Sequence, residues 1–299
     1  MERKYILFLA GFLLVLNIFC WKEVFALNGD KLLRVDFLDV GQGDSVFIQT
    51  PEGHQILIDG GPSSAVLGKL AERMPFWDRS LDFVILSHPE KDHMQGVLDV
   101  LQRYRVDYFL WTGVVKDDAE NKRLAALLDK AQNPPKNFFL ASLSRNSATK
   151  VLTASSGQEI KAGNVLIDTL YPLENMAGKE LKNTSNDTCI VAKLIYGSES
   201  FLFVGDISST AEKELAGFGE SLLSDVLKVA HHGSKYSSSD IFLQAVSPEI
   251  AVIEVGKNSY GHPTPETLQR LENFGIKVFR TDKDGDVKFL SDGKNIIIN

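Results

Sequence analysis

Four short apolar runs in this chain each end on a residue that binds metals or moves protons. Q-I-L-I-D closes on Asp59, V-I-L-S-H on His88, F-L-F-V-G-D on Asp206 and V-L-K-V-A-H on His231. Apolar runs of this length, bounded by turn formers, read as buried strands. Sheet proteins place their chemistry at strand ends, where the scaffold fixes the backbone and the following loop is free. A single His or Asp at a strand end is ordinarily a turn former or a surface residue. Four at equivalent places are not explained that way.

The rest of the pattern sets the fold class. Strands are expected at 32–40 and 45–50 around the loop G-Q-G-D (41–44), then at Q-I-L-I-D, 82–87 and 106–111. Helices are expected from Met94 to Tyr104 and over A-E-N-K-R-L-A-A-L-L-D-K-A. The second half repeats this grammar with strands at 190–197, 201–206, 226–230 and 249–256. T-P-E-T-L-Q-R-L-E-N-F opens a helix with Thr and Pro. Residues 130–185 read as hairpins and loops. Strands dominate each half and helices flank them, so we expect an α/β (α+β) chain folded as a four-layer αββα sandwich of two mixed β-sheets with outer helices. At 44% hydrophobic residues the chain has ample material for such a core.

The stretch S-H-P-E-K-D-H holds two imidazoles and two carboxylates within six positions. Alternate residues leaving a strand point one way, so His88, Glu90 and Asp92 are expected to converge, with His93 added from the helix start. Imidazole and carboxylate together suit Zn²⁺, Mn²⁺ or Fe. So many acids packed together are costly to bury unless a divalent cation removes that cost.

The first residues stand apart. After Glu2-Arg3-Lys4, seventeen residues from Tyr5 to Trp21 are broken only by Asn17. As a helix they span about 26 Å, just short of a bilayer core. Residues 1–26 read as a signal peptide cut after Val24-Phe25-Ala26, or as an uncleaved N-terminal membrane anchor. Either places the body, residues 30–299, outside the cytoplasm, secreted or anchored by that segment. Cys20 lies in the leader, so Cys189 alone remains in the body. No disulfide within it can form, and Cys189 reads as a small core residue. The net charge of −7 argues against a broad basic surface that grips nucleic acid nonspecifically.

With these residues in view, the chain resembles the metallo-β-lactamase superfamily, whose signature is His-x-His-x-Asp-His, and within it the ComEC-type hydrolase domain of competence proteins. The resemblance rests on D-V-G-Q-G-D (39–44), L-I-D-G-G (57–61), S-H-P-E-K-D-H-x-x-G (87–96), F-V-G-D-I (203–207), K-V-A-H-H-G-S (228–234) and G-H-P-T-P (261–265). T-D-K-D-G-D-V (281–287) fits the family's usual final strand. The resemblance implies metal-assisted hydrolysis with one or two divalent ions, Mn²⁺, Zn²⁺ or Mg²⁺. His88 and Glu90 would face one metal, Asp92 and His93 the other, and Asp206 would bridge them. His231 is the expected last imidazole ligand, with His232 as the alternative or as a catalytic or substrate residue. Asp59 would orient the cluster from behind, and Asp44 would support the site or the substrate. Asp92 would orient the attacking water. His262, Tyr260, Ser234 and Lys235 are candidates to hold a phosphate or protonate the leaving group.

Two departures from the pattern bear on the metal. Glu90 stands where the superfamily has a second histidine and where ComEC-like members usually have Asp, which shifts preference toward Mn²⁺ or Mg²⁺. The usual third histidine is missing. S-N-D-T-C (185–189) stands there instead, making Asn186 and Thr188 candidate polar contacts. The implied substrate is a phosphodiester, with single-stranded DNA or another nucleic acid as a plausible polymer. G-Q-G-D lacks the phosphate-loop spacings, so no nucleotide cofactor is expected. Rival readings are hydrolysis of another small substrate (a phospho-headgroup ester, a lactone or a β-lactam) and a non-catalytic extracellular binding module.

Overall fold

In the computed structural model, which describes residues 3–27, 32–133, 148–181, 186–219 and 221–299, the chain divides into two units, Met1–Leu32 and Leu33–Asn299. The first carries helix α1 (Arg3–Leu27). Apolar residues lie all round its circumference rather than along one stripe. Among the described residues no helix is long and apolar enough to cross a membrane.

The second unit is built on two sheets. One consists of β1 (Leu33–Phe37), β2 (Val46–Gln49), β3 (Gln55–Ile58), β4 (Ser80–Ile85), β5 (Arg105–Trp111), β6 (Lys150–Thr153), β14 (Val287–Ser291) and β15 (Ile296–Ile298). Its spatial order is β15-β14-β1-β2-β3-β4-β5-β6. The other takes β7 (Gln158–Ala162), β8 (Val165–Tyr171), β9 (Val191–Tyr196), β10 (Glu199–Phe203), β11 (Val226–Lys228), β12 (Ile250–Ile253) and β13 (Lys277–Arg280), in the order β13-β12-β11-β10-β9-β8-β7. Each sheet is antiparallel on one side and parallel on the other. The parallel stretches are β3-β4-β5-β6 and β10-β11-β12-β13.

Alternation explains why both faces of both sheets are covered. Ile56, Ile58, Phe83 and Ile85 turn toward the second sheet, and Leu57 and Val84 turn the other way; all six are buried. Between the sheets, Phe37 meets Phe203 and Phe289 at centroid distances of 6.0 and 5.7 Å. Outside the first sheet, α2 (Ala65–Ala71), α3 (Lys91–Arg103) and α4 (Ala119–Gln132) bring Leu70, Val97 and Leu124 onto Leu57, Val84 and Phe109. Outside the second, α5 (Ser209–Gly217), α6 (Asp240–Val246) and α7 (Pro265–Asn273) bring Leu215, Leu243 and Leu271 onto Leu202, Leu227 and Ala251. Each such side chain contributes about 1.5–3 kcal/mol on burial. The result is the expected four-layer αββα sandwich. Helix α7 begins as expected, with Thr264 accepting from the Thr267 amide and Pro265 in the first turn.

Two elements differ from the expectation. Helix α3 starts at Lys91 rather than Met94, because Glu90 is extended (φ −90°, ψ 153°) and caps a helix that begins on the next residue. T-D-K-D is not a strand. Thr281–Asp284 forms a helical turn, α8, closed when the Arg280 amide donates to Asp284 Oδ2 (2.8 Å), and the strand follows at Val287. Of the hairpin region 130–185, residues 134–147 and 182–185 lie outside the described residues. So does Ser185 of S-N-D-T-C.

Candidate metal centre

Both parallel stretches end at the same rim. Asp59 follows β3, His88 follows β4, Asp206 follows β10 and the pair His231–His232 follows β11. Glycine lets the first two loops close on each other. A β-carbon at Gly96, in the second turn of α3, would overlap the Gly60 carbonyl, and the Gly60 amide donates to the His93 carbonyl (2.8 Å). The backbone is left-handed without glycine at Asp59 (φ +57°), His231 (+51°) and His232 (+53°). Three such residues around one centre mark stored strain of the kind that collects at working sites.

Asp59, buried, anchors the first half. Its Oδ1 accepts the Ser87 amide (2.7 Å) and its Oδ2 accepts the Ser87 hydroxyl (2.5 Å) and lies 2.8 Å from His93 Nδ1. The carboxylate therefore fixes the proton of His93 on Nδ1. Ser87 spends its own proton on Asp59, so its oxygen accepts from His88 Nδ1 (3.0 Å). In the second half, His232 Nδ1–H donates to the Glu254 carbonyl (2.8 Å). The Nε2 atoms of His93 and His232 thus turn to one carboxylate oxygen, Asp206 Oδ2, and that of His88 is left unengaged. The Nε2 atoms of His88, His93 and His232, with Asp206 Oδ1 and Asp44 Oδ1, are buried without a hydrogen-bond partner among the described residues. Histidine ligands are commonly oriented through the other ring nitrogen in this way.

Asp44, His93, Asp206 and His232 each offer one ligand atom, and these atoms all lie within 4.8 Å of one another. Asp206 Oδ2 is 3.4 Å from His93 Nε2 and 3.5 Å from His232 Nε2. Asp92 Oδ2 is 3.3 Å from His232 Nε2. The donor set of two imidazoles and two carboxylates fits a divalent cation.

Electrostatics agree with the donor set. Burial pulls His93 and His232 down, but Asp206 and Asp44 outweigh it, lifting His93 well above the usual imidazole range and His232 to about 10. Burial, with the charge on His93, pushes His88 down to about 3. Burial raises Asp206, yet His232 and His93 hold it well below the usual carboxylate range. Without a cation, the carboxylates keep protons on two imidazoles that a cation would displace.

The expected residues divide on this geometry. His232, not His231, joins the group of four; His231 has a side chain 34% exposed and its Nε2 is 3.8 Å from Asp206 Oδ2. Asp44, expected in a supporting place, is within the group. Glu90 lies outside it, because the chain leaves the strand at Ile85 and period-two alternation no longer applies. Its Oε1 meets Lys116 Nζ at 2.7 Å. A cleft of about 420 Å³ opens over the group, lined among others by Glu90, Asp92, Asn186, His231, Tyr260 and His262. His262 is 5.5 Å from His231 and 5.8 Å from Tyr260 between ring centroids, and Asn186 Nδ2 lies 3.4 Å from His231 Nδ1. Thr188 and Ser234 are buried away from the cleft lining, and Lys235 is exposed, stacked on Tyr236 (5.2 Å). Buried Cys189 accepts the Asp206 amide on Sγ (3.3 Å).

Residues 54–227 match the model of the beta-lactamase superfamily domain. The chain belongs to that superfamily. Over 280 residues it is 30% identical to ComE operon protein 3 of Bacillus subtilis, covering 86% of this chain and 33% of that protein. Competence protein ComA of Neisseria gonorrhoeae is 30% identical over 254 residues, covering 84% of this chain and 31% of the relative. The chain therefore spans about a third of the length of these curated relatives. Among solved structures, the metallo-beta-lactamase fold protein YhfI from Bacillus subtilis superposes with a TM-score of 0.55 at 15% identity, covering 87% of this chain and all of that one. The chain is a metallo-β-lactamase-fold hydrolase related to competence proteins, and it carries a candidate metal site.

Proposed function

We propose that this chain is a metal-dependent phosphodiesterase that acts outside the cytoplasm, with single-stranded nucleic acid as the polymer substrate. The observation that carries the reading is the convergence of two buried imidazoles and two buried carboxylates beneath an open cleft. Asp44, His93, Asp206 and His232 would hold the ion, with His88 beside them. A bound divalent cation supplies an acidified water and positive charge for the developing oxyanion. Asp92 faces the cleft from the first turn of α3, where its carboxylate orients the attacking water and takes up its proton. His231 and His262, which line the same cleft, bind the phosphoryl oxygens, and His262 returns a proton to the leaving oxygen. The basic flank and apolar run of α1 support export of the body.

The test uses the full chain stripped of metal, then restored with Mn²⁺, Mg²⁺ or Zn²⁺, beside Asp92→Ala. Metal-dependent cleavage of bis(p-nitrophenyl) phosphate is expected in the parent and not in the variant, and cleavage of single-stranded DNA would identify a nuclease. Metal binding without cleavage of either substrate would refute the phosphodiester reading.

A further inference from the structure

Lysine is among the residues least expected in a buried strand, yet Lys228 is 2% exposed at the end of β11. Its ammonium donates to the Gly205 carbonyl (2.8 Å), pairs with Asp44 Oδ2 and lies 3.6 Å from Asp206 Oδ1. Three N–H donors thus face three oxygens. The arrangement divides the two carboxylates. One oxygen of each turns inward to the ammonium. The other oxygen of Asp206, Oδ2, turns to the Nε2 atoms of His93 and His232, whereas Asp44 lies against their Nδ1 sides, Oδ1 at 3.2 Å from His232 Nδ1 and Oδ2 at 3.5 Å from His93 Nδ1. Glu254 adds another buried acid, its Oε1 accepting the Ser45 amide (2.8 Å) while Oε2 has no partner among the described residues.

We propose that Lys228 is a built-in counter-cation of the metal centre: from the inner side it balances Asp44 and Asp206 before a divalent ion arrives and holds Asp206 with one oxygen turned toward that ion. It is a positioning residue, acting through the two carboxylates. Buried carboxylates this close would otherwise repel each other and turn apart, or take up protons. With His93 and His232, the lysine keeps them charged, and from its inner position it keeps them aimed, at the cost of one positive charge beside the ion. A simpler role is a brace, in which Lys228 only ties β11 to the Gly205 loop after β10. The two roles differ in how they respond to metal.

The inference rests on the metal-centre reading and not on any substrate, so the test is thermal melting of the full chain. Parent and Lys228→Met are compared stripped of divalent ions and saturated with Mn²⁺, Mg²⁺ or Zn²⁺. The stripped variant is expected to melt roughly 6–12 °C lower than the stripped parent, as for a buried pair that loses one partner. With metal the deficit is expected to shrink to less than half, because the ion supplies the charge the lysine supplied. An equal deficit in both states overturns the proposal in favour of the brace. Absence of any metal-induced shift in the parent would overturn the metal-centre reading and this proposal with it. If stripped Lys228→Met does not fold, Asp44→Asn/Lys228→Met decides, since it removes the carboxylate together with its ammonium. Recovery of folding supports the counter-cation, and failure to recover refutes it.

Discussion

The two halves of the centre are built on opposite plans. On the β3–β4 side, Asp59 gathers Ser87 and His93, Ser87 holds His88, and a glycine contact locks α3 against the loop after β3. Every imidazole there is buried and has its Nδ1 spoken for. On the β10–β11 side, two consecutive histidines sit in left-handed backbone, one turned inward and one turned out to the cleft. The first half is a clamp set by hydrogen bonds. The second is a fork, with one prong in the group of four and the other in the cleft; on the proposed function, the first serves the ion and the second the substrate.

The clamp should break hardest. Asp59→Ala leaves buried His93 and both the amide and hydroxyl of Ser87 without their acceptor, loosens His88 through Ser87, and is expected to cost about 3–5 kcal/mol in denaturant unfolding. A loss under 1 kcal/mol would mean that Asp59 organises nothing. The fork predicts a split. By calorimetry, His232→Ala is expected to weaken metal binding roughly 100-fold and His231→Ala roughly tenfold or less. Equal losses would erase the distinction between the prongs.

The smallest effect is the dependence on pH. His232 rises from 6.5 unfolded to about 10 folded, so its contribution to the metal-free protein is complete below pH 6.5 and is lost as pH climbs through 10. His88 falls to about 3, so below pH 6.5 the unfolded state takes up a proton that the folded state refuses, and stability drops. The melting temperature of stripped protein is therefore expected to decline on both sides of pH 6.5. Replacing His232 with Gln should flatten only the alkaline side, and metal affinity should rise across that same alkaline range as protons leave.

What the sequence discloses follows from what repeats. Strand runs are legible because burial on both faces leaves uninterrupted apolar stretches, and the polar residue that ends each run stands out. Glu90 lines the cleft but stands outside the group of four, because alternation ends at Ile85, where the chain enters a cap and a helix. Nothing periodic separates His231 from His232, since a left-handed backbone, invisible in composition, decides which ring turns inward. Asp44 lies in a loop, where side-chain direction has no rule. Lys228 did carry a signal: a single charge within V-L-K-V-A, at a position no solvent reaches.

Asp44, from the loop after β1, and His93, from the first turn of α3, belong with the first sheet, and Asp206 and His232 come from loops of the second. An ion shared by these four would close loops across most of the body and tether one face of the sandwich to the other. It would do so in a body with one cysteine, where no covalent tie between the layers can form. Unlike a disulfide, it would leave on unfolding, so its stabilisation would act on the folded body and grow with the concentration of free ion.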